Sequence, residues 1–261
     1  IVLTEMIAVS PEGRITPGTP GLYRDEHIGS WRRVTDRAHR EGQALLMAQI
    51  GHAGPRGSTR PRREGVDRPL RQGGWPVLTV SVSREGMDGV AEAFARATRM
   101  ALEAGFDLLL LNLAHGYLLS SFISPLTNGR EDEYGGSLEG RMRFPLEVLT
   151  AVRAVWPDDR PLAVSLNATD WTRGGTQPGE AVAAARMLSS AGCDLVRVLA
   201  GQTSSRARPE YGRQFLVPHS DRVRNEAGIS TMVGGNLSTR DEVDTVLAAG
   251  RADLCQVDPV G

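Results

Sequence analysis

Residues 105–134 read GFDLLLLNLAHGYLLSSFISPLTNGREDEY, and this stretch decides the fold. It opens on the apolar run 108–111, which is typical of a strand buried on both faces of a parallel sheet. Three polar residues follow directly, Asn112, His115 and Tyr117. In a β/α barrel the carboxyl ends of the strands face the active site. The order of residues therefore predicts two hydrogen-bond donors and one weakly acidic hydroxyl at such a site.

Strand patterns alternate with helix patterns along the whole chain, which predicts a parallel sheet. The predicted strands are residues 1–6, 44–50, 108–111, 162–167, 195–199, 230–233 and 252–257. The predicted helices begin at residue 25 and then span residues 88–104, 138–155, 178–191, 219–227 and 240–249. A closed barrel has eight strands. We therefore expect residues 1–261 to form a single α/β domain, a (β/α)8 TIM barrel lacking its first strand and last helix.

Composition excludes several classes of function. The formal net charge is −1, so the sequence predicts no nucleic-acid partner. It has no apolar run near the ~20 residues that a membrane helix needs, and no signal peptide is predicted. All 30 basic residues are Arg, which rules out a Schiff-base lysine and a Walker A phosphate loop. Cys193 and Cys255 lie in apolar runs, which favours reduced thiols in a cytoplasmic protein. No metal site is predicted.

The stretch around His115 resembles a family signature. The pattern H-x-A-[NH]-G-Y-L…F-x-S-P-x-x-N-x-R-x-D-E-Y-G-G-S-x-E-x-R is typical of the Old Yellow Enzyme family of flavin-dependent ene-reductases, and residues 114–143 match it. One departure falls at Asn112, where the family usually has His. The resemblance implies FMN as cofactor, NADH or NADPH as reductant, and reduction of an activated C=C bond in a small-molecule substrate.

The resemblance also implies roles for individual residues. Asn112 and His115 would hold the carbonyl oxygen of an unsaturated substrate, where negative charge develops during hydride transfer. Tyr117 would protonate the substrate carbon, a role that suits a weak acid held in place. Gln49 would hydrogen-bond the flavin pyrimidine ring. Each has a plainer alternative: His115 as a core histidine, Tyr117 as a ring packed under a loop, and Gln49 as an exposed strand-end residue.

Further residues would contact the flavin. Gly234, Gly235 and Asn236 resemble the family's phosphate-binding turn, because glycines let backbone N–H groups approach an anion closely. Ser165 stands where the family has an Arg that faces the flavin N1 and O2, and a Ser cannot supply that charge. Residues 258–259 read Asp-Pro where the family has a phosphate-binding Gly-Arg. We therefore expect flavin to bind more weakly than in the family.

Charged residues cluster in two places. One cluster is interpreted as an ion-pair network that braces a loop and a helix without a catalytic role; it comprises Arg130, Asp132, Glu133, Tyr134, Glu139, Arg141 and Arg143. The second is a loop after Gln49 with Arg56, Arg60, Arg62, Arg63, Arg68 and Arg71, offset locally by Glu64 and Asp67. A solvated loop is the plainer interpretation. The more specific interpretation is a binding site for an anionic tail of the substrate.

Five runs narrow the resemblance: residues 4–18, 51–60, 113–128, 166–171 and 251–255. They resemble the reductase-like domain of bifunctional aminobenzoyl-CoA monooxygenase/reductases and salicylyl-CoA 5-hydroxylases, which implies an aromatic or unsaturated acyl-CoA substrate. A rival hypothesis is a degenerate, non-catalytic barrel fragment, because the departures at Asn112, Ser165 and 258–259 fall on expected ligand contacts. A homo-oligomer and a flavin-free barrel isomerase also stay open.

Overall fold

The computed structural model describes residues 1–57 and 82–257. One parallel sheet contains strands Val2–Ala8 (β1), Leu46–Gly51 (β2), Leu108–Leu113 (β3), Leu162–Asn167 (β4), Leu195–Leu199 (β5), Ser230–Val233 (β6) and Leu254–Cys255 (β7). The α-helices span Asp25–Glu41 (α1), Arg84–Glu103 (α2), Leu118–Ile123 (α3), Leu138–Arg153 (α4), Pro178–Ser190 (α5), Val217–Ala227 (α6) and Arg240–Ala248 (α7). The described residues exclude Arg60, Arg62, Arg63, Glu64, Asp67, Arg68, Arg71, Asp258 and Pro259.

The strands pair in sequence order, each parallel to the next. At least one helix lies between each strand and the next, and this arrangement confirms the predicted barrel architecture. Among the described residues, β1 and β7 are the two outer strands of the sheet. The strand predicted at 252–257 is shorter, because only Leu254 and Cys255 pair with β6.

The two faces of the sheet carry different cores, and β3 shows the division. Leu109, Leu111 and Leu113 belong to the large cluster that the helices cover. Leu108 and Leu110 point the other way, into a small inner cluster. Because side chains alternate along a strand, Asn112 shares the inner face with these two leucines. The inner face is therefore apolar near the strand starts and becomes polar near their carboxyl ends.

The starts of two helices differ from the sequence prediction for local reasons, and one helix was not predicted. Helix α2 begins at Arg84 because the Ser83 side chain caps it, accepting from the Gly86 N–H at 3.1 Å. Helix α6 begins at Val217, since a proline is tolerated in a first turn. Helix α3, six residues long, was not predicted at all. None of the described helices combines the length and apolar character of a membrane span.

Candidate active site

A polar layer lies on the inner face at the carboxyl ends of the strands. It consists of Gln49 from β2, Asn112 from β3, Ser165 from β4, Arg197 from β5 and Gln256 just after β7. Each lies two residues after an inner apolar side chain of its own strand segment, so all five share the inner face. The layer therefore forms the floor of the barrel mouth, where active sites of this architecture lie.

Gln49 and Asn112 are held together by their amides. Gln49 Nε2 donates to the Thr4 carbonyl at 3.1 Å, and Asn112 Nδ2 donates to Gln49 Oε1 at 3.3 Å. Asn112 Oδ1 accepts from the Ala114 N–H at 3.0 Å, which fixes the orientation of the amide. Asn112 Nδ2 also contacts the Met6 sulfur at 3.8 Å. A thioether is a weak acceptor, so a ligand oxygen could take its place.

His115 sits in a strained turn directly after β3. Its φ is 59° and that of Gly116 is 69°, both in the left-handed region. The His115 N–H donates to Asn167 Oδ1 at 3.3 Å, which ties the turn to the end of β4. Burial, with the charges of Arg197 and Arg56, lowers the pKa of His115 to about 4. The imidazole is therefore neutral at pH 7 and carries one N–H donor.

Tyr117 follows at the start of α3 and lies against Arg56. The Arg56 guanidinium carbon is 5.4 Å from the centre of the Tyr117 ring. Arg56 Nη1 also donates to the His115 carbonyl and, at 2.9 Å, to the Gln202 carbonyl. Burial raises the pKa of Tyr117 and the charge of Arg56 opposes that rise. The phenol thus keeps its proton at neutral pH, while a phenolate would be stabilised by the adjacent cation.

Arg56 is the one arginine of the predicted arginine loop within the described residues, and its side chain is not simply solvated. Burial lowers the pKa of Arg56 to about 10, with the Tyr117 charge opposing this. Residues 54–57 dock on the barrel because Gly54 has a φ of 57° and no side chain; an added Cβ would lie 2.8 Å from the Leu118 Cα. The Leu118 N–H donates to the His52 carbonyl at 3.0 Å. Arg56 is therefore a half-buried part of the site.

A cavity of about 200 Å³ opens beside His115. Arg197 and Gln256 form part of its wall, and Gly234, Gly235 and Asn236 another part. Gly235 has a φ of 89°, and an added Cβ would lie 3.0 Å from the Phe215 ring. Asn236 Nδ2 donates to the Gly212 carbonyl at 2.9 Å, which fastens the turn. The cavity therefore combines a cation, a neutral imidazole and a glycine turn open to close approach.

Ser165 belongs to the polar layer but does not reach the cavity. It lies in the polar layer but is fully buried, and it is not part of the cavity wall. Its Oγ has no hydrogen-bond partner among the described residues. A buried hydroxyl without a partner costs about 1–3 kcal/mol. Ser165 thus lies in the floor of the mouth without reaching the cavity, and its unpaired hydroxyl marks a place for a polar ligand atom.

Asn167 and Asp170, at the end of β4, support the site and were not singled out from the sequence. Asn167 Nδ2 donates to the Gly201 carbonyl at 2.8 Å. The Asp170 carboxylate is fully buried and accepts from the hydroxyls of Thr203 and Ser124 at 2.6 and 2.7 Å. These bonds join the loops after β3, β4 and β5. The available signal in the sequence was the run 166–171, which contains both residues at and just after the end of a predicted strand. A carboxylate that is buried there needs several hydrogen-bond donors, and the neighbouring loops supply them.

The charged cluster after α3 is structural in its contacts. Arg141 is buried and donates to the Ile123 carbonyl and, at 2.5 Å, to Glu180 Oε1. Arg143 Nε donates to the Glu133 carbonyl at 3.0 Å. These bonds brace the loop and α4, which confirms the predicted bracing. No group of three or more His, Cys, Asp or Glu side chains in residues 1–57 and 82–257 is arranged to hold a metal ion.

Two half-buried histidines, His52 and His115, are expected to make stability depend on pH. Burial lowers the pKa of His52 to about 4, as it does for His115. His52 Nδ1 accepts from the Gly54 N–H at 3.0 Å, which requires that nitrogen to be unprotonated. An unfolded chain protonates histidine near the ordinary pKa of about 6.5. The unfolded state therefore binds more protons between these values, and the free energy of unfolding should fall as the pH drops from about 6.5 to about 4.

Urea unfolding at a series of pH values measures this effect. The variant His52→Gln should show a smaller loss of unfolding free energy between about pH 7 and about pH 5 than the unchanged protein. His39→Gln, at a partly exposed contact with Asp107, removes an imidazole far less buried than His52 and is the matched control; it should keep most of the loss. An identical pH profile in His52→Gln and the unchanged protein would contradict the burial argument.

Comparison with known proteins identifies the family of this chain. The model of the NADH:flavin oxidoreductase / NADH oxidase family matches residues 1–257. The chain belongs to this family. The NADPH dehydrogenase of Halalkalibacterium halodurans is 32% identical over 265 residues, which cover 97% of this chain and 73% of the relative. That of Listeria welshimeri is 34% identical over 254 residues, covering 97% and 74%. The protein is thus an oxidoreductase with FMN as cofactor and NAD(P)H as reductant.

Solved structures confirm the barrel fold and the likeness to Old Yellow Enzyme. The old yellow enzyme homologue from Zymomonas mobilis superposes with a TM-score of 0.76 at 26% identity, covering 97% of this chain and 74% of that one. A 2-naphthoyl-CoA reductase in complex with 2-naphthoyl-CoA gives a TM-score of 0.86 at 24% identity, covering 98% of this chain and 42% of that one. At that identity the second likeness shows the fold alone.

The residues of this oxidoreductase suit FMN. The unpaired Ser165 hydroxyl and the amide of Gln49 offer polar contacts on the floor. Gly234 and Gly235 border the cavity and bring no side chain into it. Arg197 brings a positive charge to the same cavity. FMN has a planar ring with polar edges and an anionic phosphate tail, and this set of groups matches both parts.

Proposed function

We propose that the protein reduces an activated C=C bond, with Asn112, His115 and Tyr117 acting on the substrate. The observation that carries this proposal is the neutral imidazole of His115 on the wall of a cavity. Asn112 lies in the polar layer on the preceding strand, and Tyr117 follows with Arg56 against its ring. Two neutral donors beside a protonated phenol suit reduction of a carbonyl-conjugated double bond.

The chemistry divides between cofactor and protein. Bound FMN would supply hydride transfer between NAD(P)H and the substrate. Asn112 and His115 donate hydrogen bonds to the substrate carbonyl oxygen, which gains charge as hydride reaches the β-carbon. The π electrons then form a new C–H bond at the α-carbon with the proton of Tyr117. The remaining phenolate faces Arg56 and takes a proton from water.

The cofactor contacts follow from the same geometry. Gln49 would meet the pyrimidine ring from the floor, and the Ser165 hydroxyl lies in the same layer. Gly234, Gly235 and Asn236 would receive the phosphate, because the turn has positive φ at its last two residues and little bulk. The family assignment supplies the cofactor; these residues are our proposal for its site.

We propose an aromatic or unsaturated acyl-CoA as the substrate class. An aromatic cluster of Trp171, Tyr211 and Phe215 supports this, with ring centres 5.2–5.8 Å apart. Tyr211 and Phe215 border the cavity beside His115, and Tyr211 is 65% exposed. Edge-to-face contacts of this kind favour a further planar ring. A protein of the same fold has been solved in complex with 2-naphthoyl-CoA, an aryl thioester, which supports this substrate class.

Anaerobic half-reactions test the proposal. The FMN-loaded protein should lose its flavin absorbance on addition of NADPH or NADH and recover it on addition of cinnamoyl-CoA. Cyclohexenone, which has an activated double bond but no aromatic ring or thioester, should restore absorbance more slowly. Equal rates with both would contradict the acyl-CoA assignment. Recovery with neither would contradict ene-reduction and favour the alternative of a non-catalytic barrel.

A further inference from the structure

Both backbone groups of His115 are held by side chains from other loops. The His115 N–H donates to Asn167 Oδ1 at 3.3 Å, and its carbonyl accepts from Arg56 Nη1. Its φ of 59° lies in the left-handed region, which is unfavourable for a residue with a Cβ. Such a conformation persists only where the surrounding structure enforces it. The partners of these two groups therefore help to decide where the imidazole lies.

Asn167 is the last residue of β4 and is itself fixed in orientation. The residue is buried, and its Nδ2 faces three acceptors: the Gly201 carbonyl at 2.8 Å, Thr203 Oγ1 at 3.2 Å and Asp170 Oδ1 at 3.4 Å. A flipped amide would turn its oxygen toward the Gly201 carbonyl and the Asp170 carboxylate, both of which are acceptors. The amide oxygen of Asn167 therefore faces the His115 N–H.

A buried carboxylate anchors this amide. Asp170 is fully buried, and one of its oxygens accepts from the Thr203 hydroxyl at 2.6 Å. Because that hydroxyl gives its proton to Asp170, its oxygen is left to accept from Asn167 Nδ2. Hydrogen bonds in such a chain polarise and strengthen one another. The chain thus runs from the buried carboxylate, through Thr203 and Asn167, to the main chain of His115.

The turns after β3 and β5 interlock at this point. An added Cβ at Gly116 would lie 3.1 Å from the Gln202 carbonyl oxygen and 3.3 Å from the Thr203 Cα. Gln202, like His115, has a positive φ, of 58°, and both residues border the cavity. Asn167 bonds to the first turn through its oxygen and to the second turn through its nitrogen. It therefore fixes two parts of the cavity wall relative to each other.

We propose that Asn167 is a positioning residue that keeps the His115 imidazole on the cavity wall, with Asp170 fixing Asn167 in turn. This inference rests on the proposed function, in which His115 donates to the substrate carbonyl, and deepens it. Within the described parts of the chain, Asn167 is not among the residues that border the cavity, so it acts through His115. Displacing a reacting group by about 1 Å can cost about 10²-fold in rate. We therefore expect a loss of about 10- to 100-fold in substrate reduction when the amide is removed.

The first test measures the position of the imidazole in protein without cofactor. The variant Asn167→Leu removes both polar atoms of the amide with little change in size. NMR titration of the histidine ring protons should show the pKa of His115 rising from about 4 to about 5 or higher, because the ring leaves its buried place beside Arg56 and Arg197. The signals of His115 are identified by their absence in His115→Ala. The pKa of His52, also about 4 in the native protein, should stay unchanged.

Asn128→Leu is the matched control for a general loss of stability. Asn128 is buried, and its Nδ2 donates to the carbonyls of Phe122 and Tyr134 at 2.7 and 2.8 Å. These bonds hold the loop after α3 and do not involve His115. The control should therefore unfold at a lower urea concentration than the unchanged protein, with the pKa of His115 and the rate of substrate reduction retained.

The second test is a double-mutant cycle on the half-reaction with cinnamoyl-CoA. Alone, Asn167→Leu should slow this step by about 10- to 100-fold. In the His115→Ala background it should slow the step by less than about twofold, because the amide acts only through the imidazole. The NADPH half-reaction should be unchanged in both backgrounds. Losses that add fully would overturn the positioning role, as would a pKa of His115 that stays at about 4 in Asn167→Leu.

Failure of this inference is distinguishable from failure of the proposed function. If His115→Ala reduces the substrate at the full rate, the proposed function is contradicted, and the NMR titration alone decides the role of Asn167. A raised pKa of His115 in Asn167→Leu would then still support positioning, and an unchanged pKa would overturn it. If Asn167→Leu does not fold by circular dichroism, the same readouts on Asn167→Ser decide, because the serine hydroxyl ends short of the His115 N–H.

Discussion

Replacing Tyr117 by Phe is expected to slow reduction of an unsaturated substrate by about 10²- to 10⁴-fold, the usual contribution of a positioned general acid. Phe keeps a ring beneath Arg56, which lies 5.4 Å from the ring centre in the native protein, but has no proton to give. Reduction by NAD(P)H needs no proton from this residue. Its rate should therefore be unchanged.

Rapid mixing separates the two steps for this variant. Bleaching of the flavin by NADPH reports the first half-reaction, and recovery with cinnamoyl-CoA reports the second. Tyr23→Phe is the matched control, because that ring stacks edge-on against His27 on α1, away from the polar layer. An equal loss in both half-reactions would remove Tyr117 from the role of proton donor.

Replacing His115 by Ala is expected to slow substrate reduction by about 10²- to 10³-fold, comparable to loss of one oxyanion-stabilising donor. With a pKa of about 4, the imidazole acts as a neutral donor throughout the physiological range. Its role is then a hydrogen bond to the developing charge. His115→Gln keeps an N–H donor and should retain more activity than His115→Ala.

Steady-state and single-turnover rates distinguish this role from a structural one. The loss should appear in the maximal rate of substrate reduction, with flavin affinity and the NADPH half-reaction retained. His39→Ala removes an imidazole at a partly exposed pair with Asp107 and should have little effect, as surface pairs contribute little. Equal rates for the Ala and Gln variants at position 115 would contradict the donor role.

The sequence predicts where a residue lies along its own strand better than which residues lie beside it on the neighbouring strands. The bounds of β4, β5 and β6 agree with prediction, because short β-branched and apolar runs between turn residues are strong signals. Asn112, His115 and Tyr117 stood out because they follow such a run. Arg197 did not, since its place beside Ser165 depends on the register between β4 and β5. A single charged residue inside the apolar run of β5 was the available signal.

Arg56 shows the same limit in a loop. Its sequence neighbours are polar and basic, which favours a solvated interpretation. The tertiary contact of Gly54 with Leu118 brings it against Tyr117 instead. The composition of a loop indicates only the average environment of its residues. The position of the Arg56 side chain depends instead on Gly54, a single glycine with a positive φ.

The most direct test of the flavin site proposed here is titration of the purified protein with FMN, followed by flavin fluorescence and absorbance. We expect a yellow complex with one FMN per chain, and weaker binding in Gly235→Ala, whose added Cβ would meet the Phe215 ring at 3.0 Å. A protein that binds no FMN even at about 1 mM, where binding would be worth no more than about 4 kcal/mol, would contradict the site.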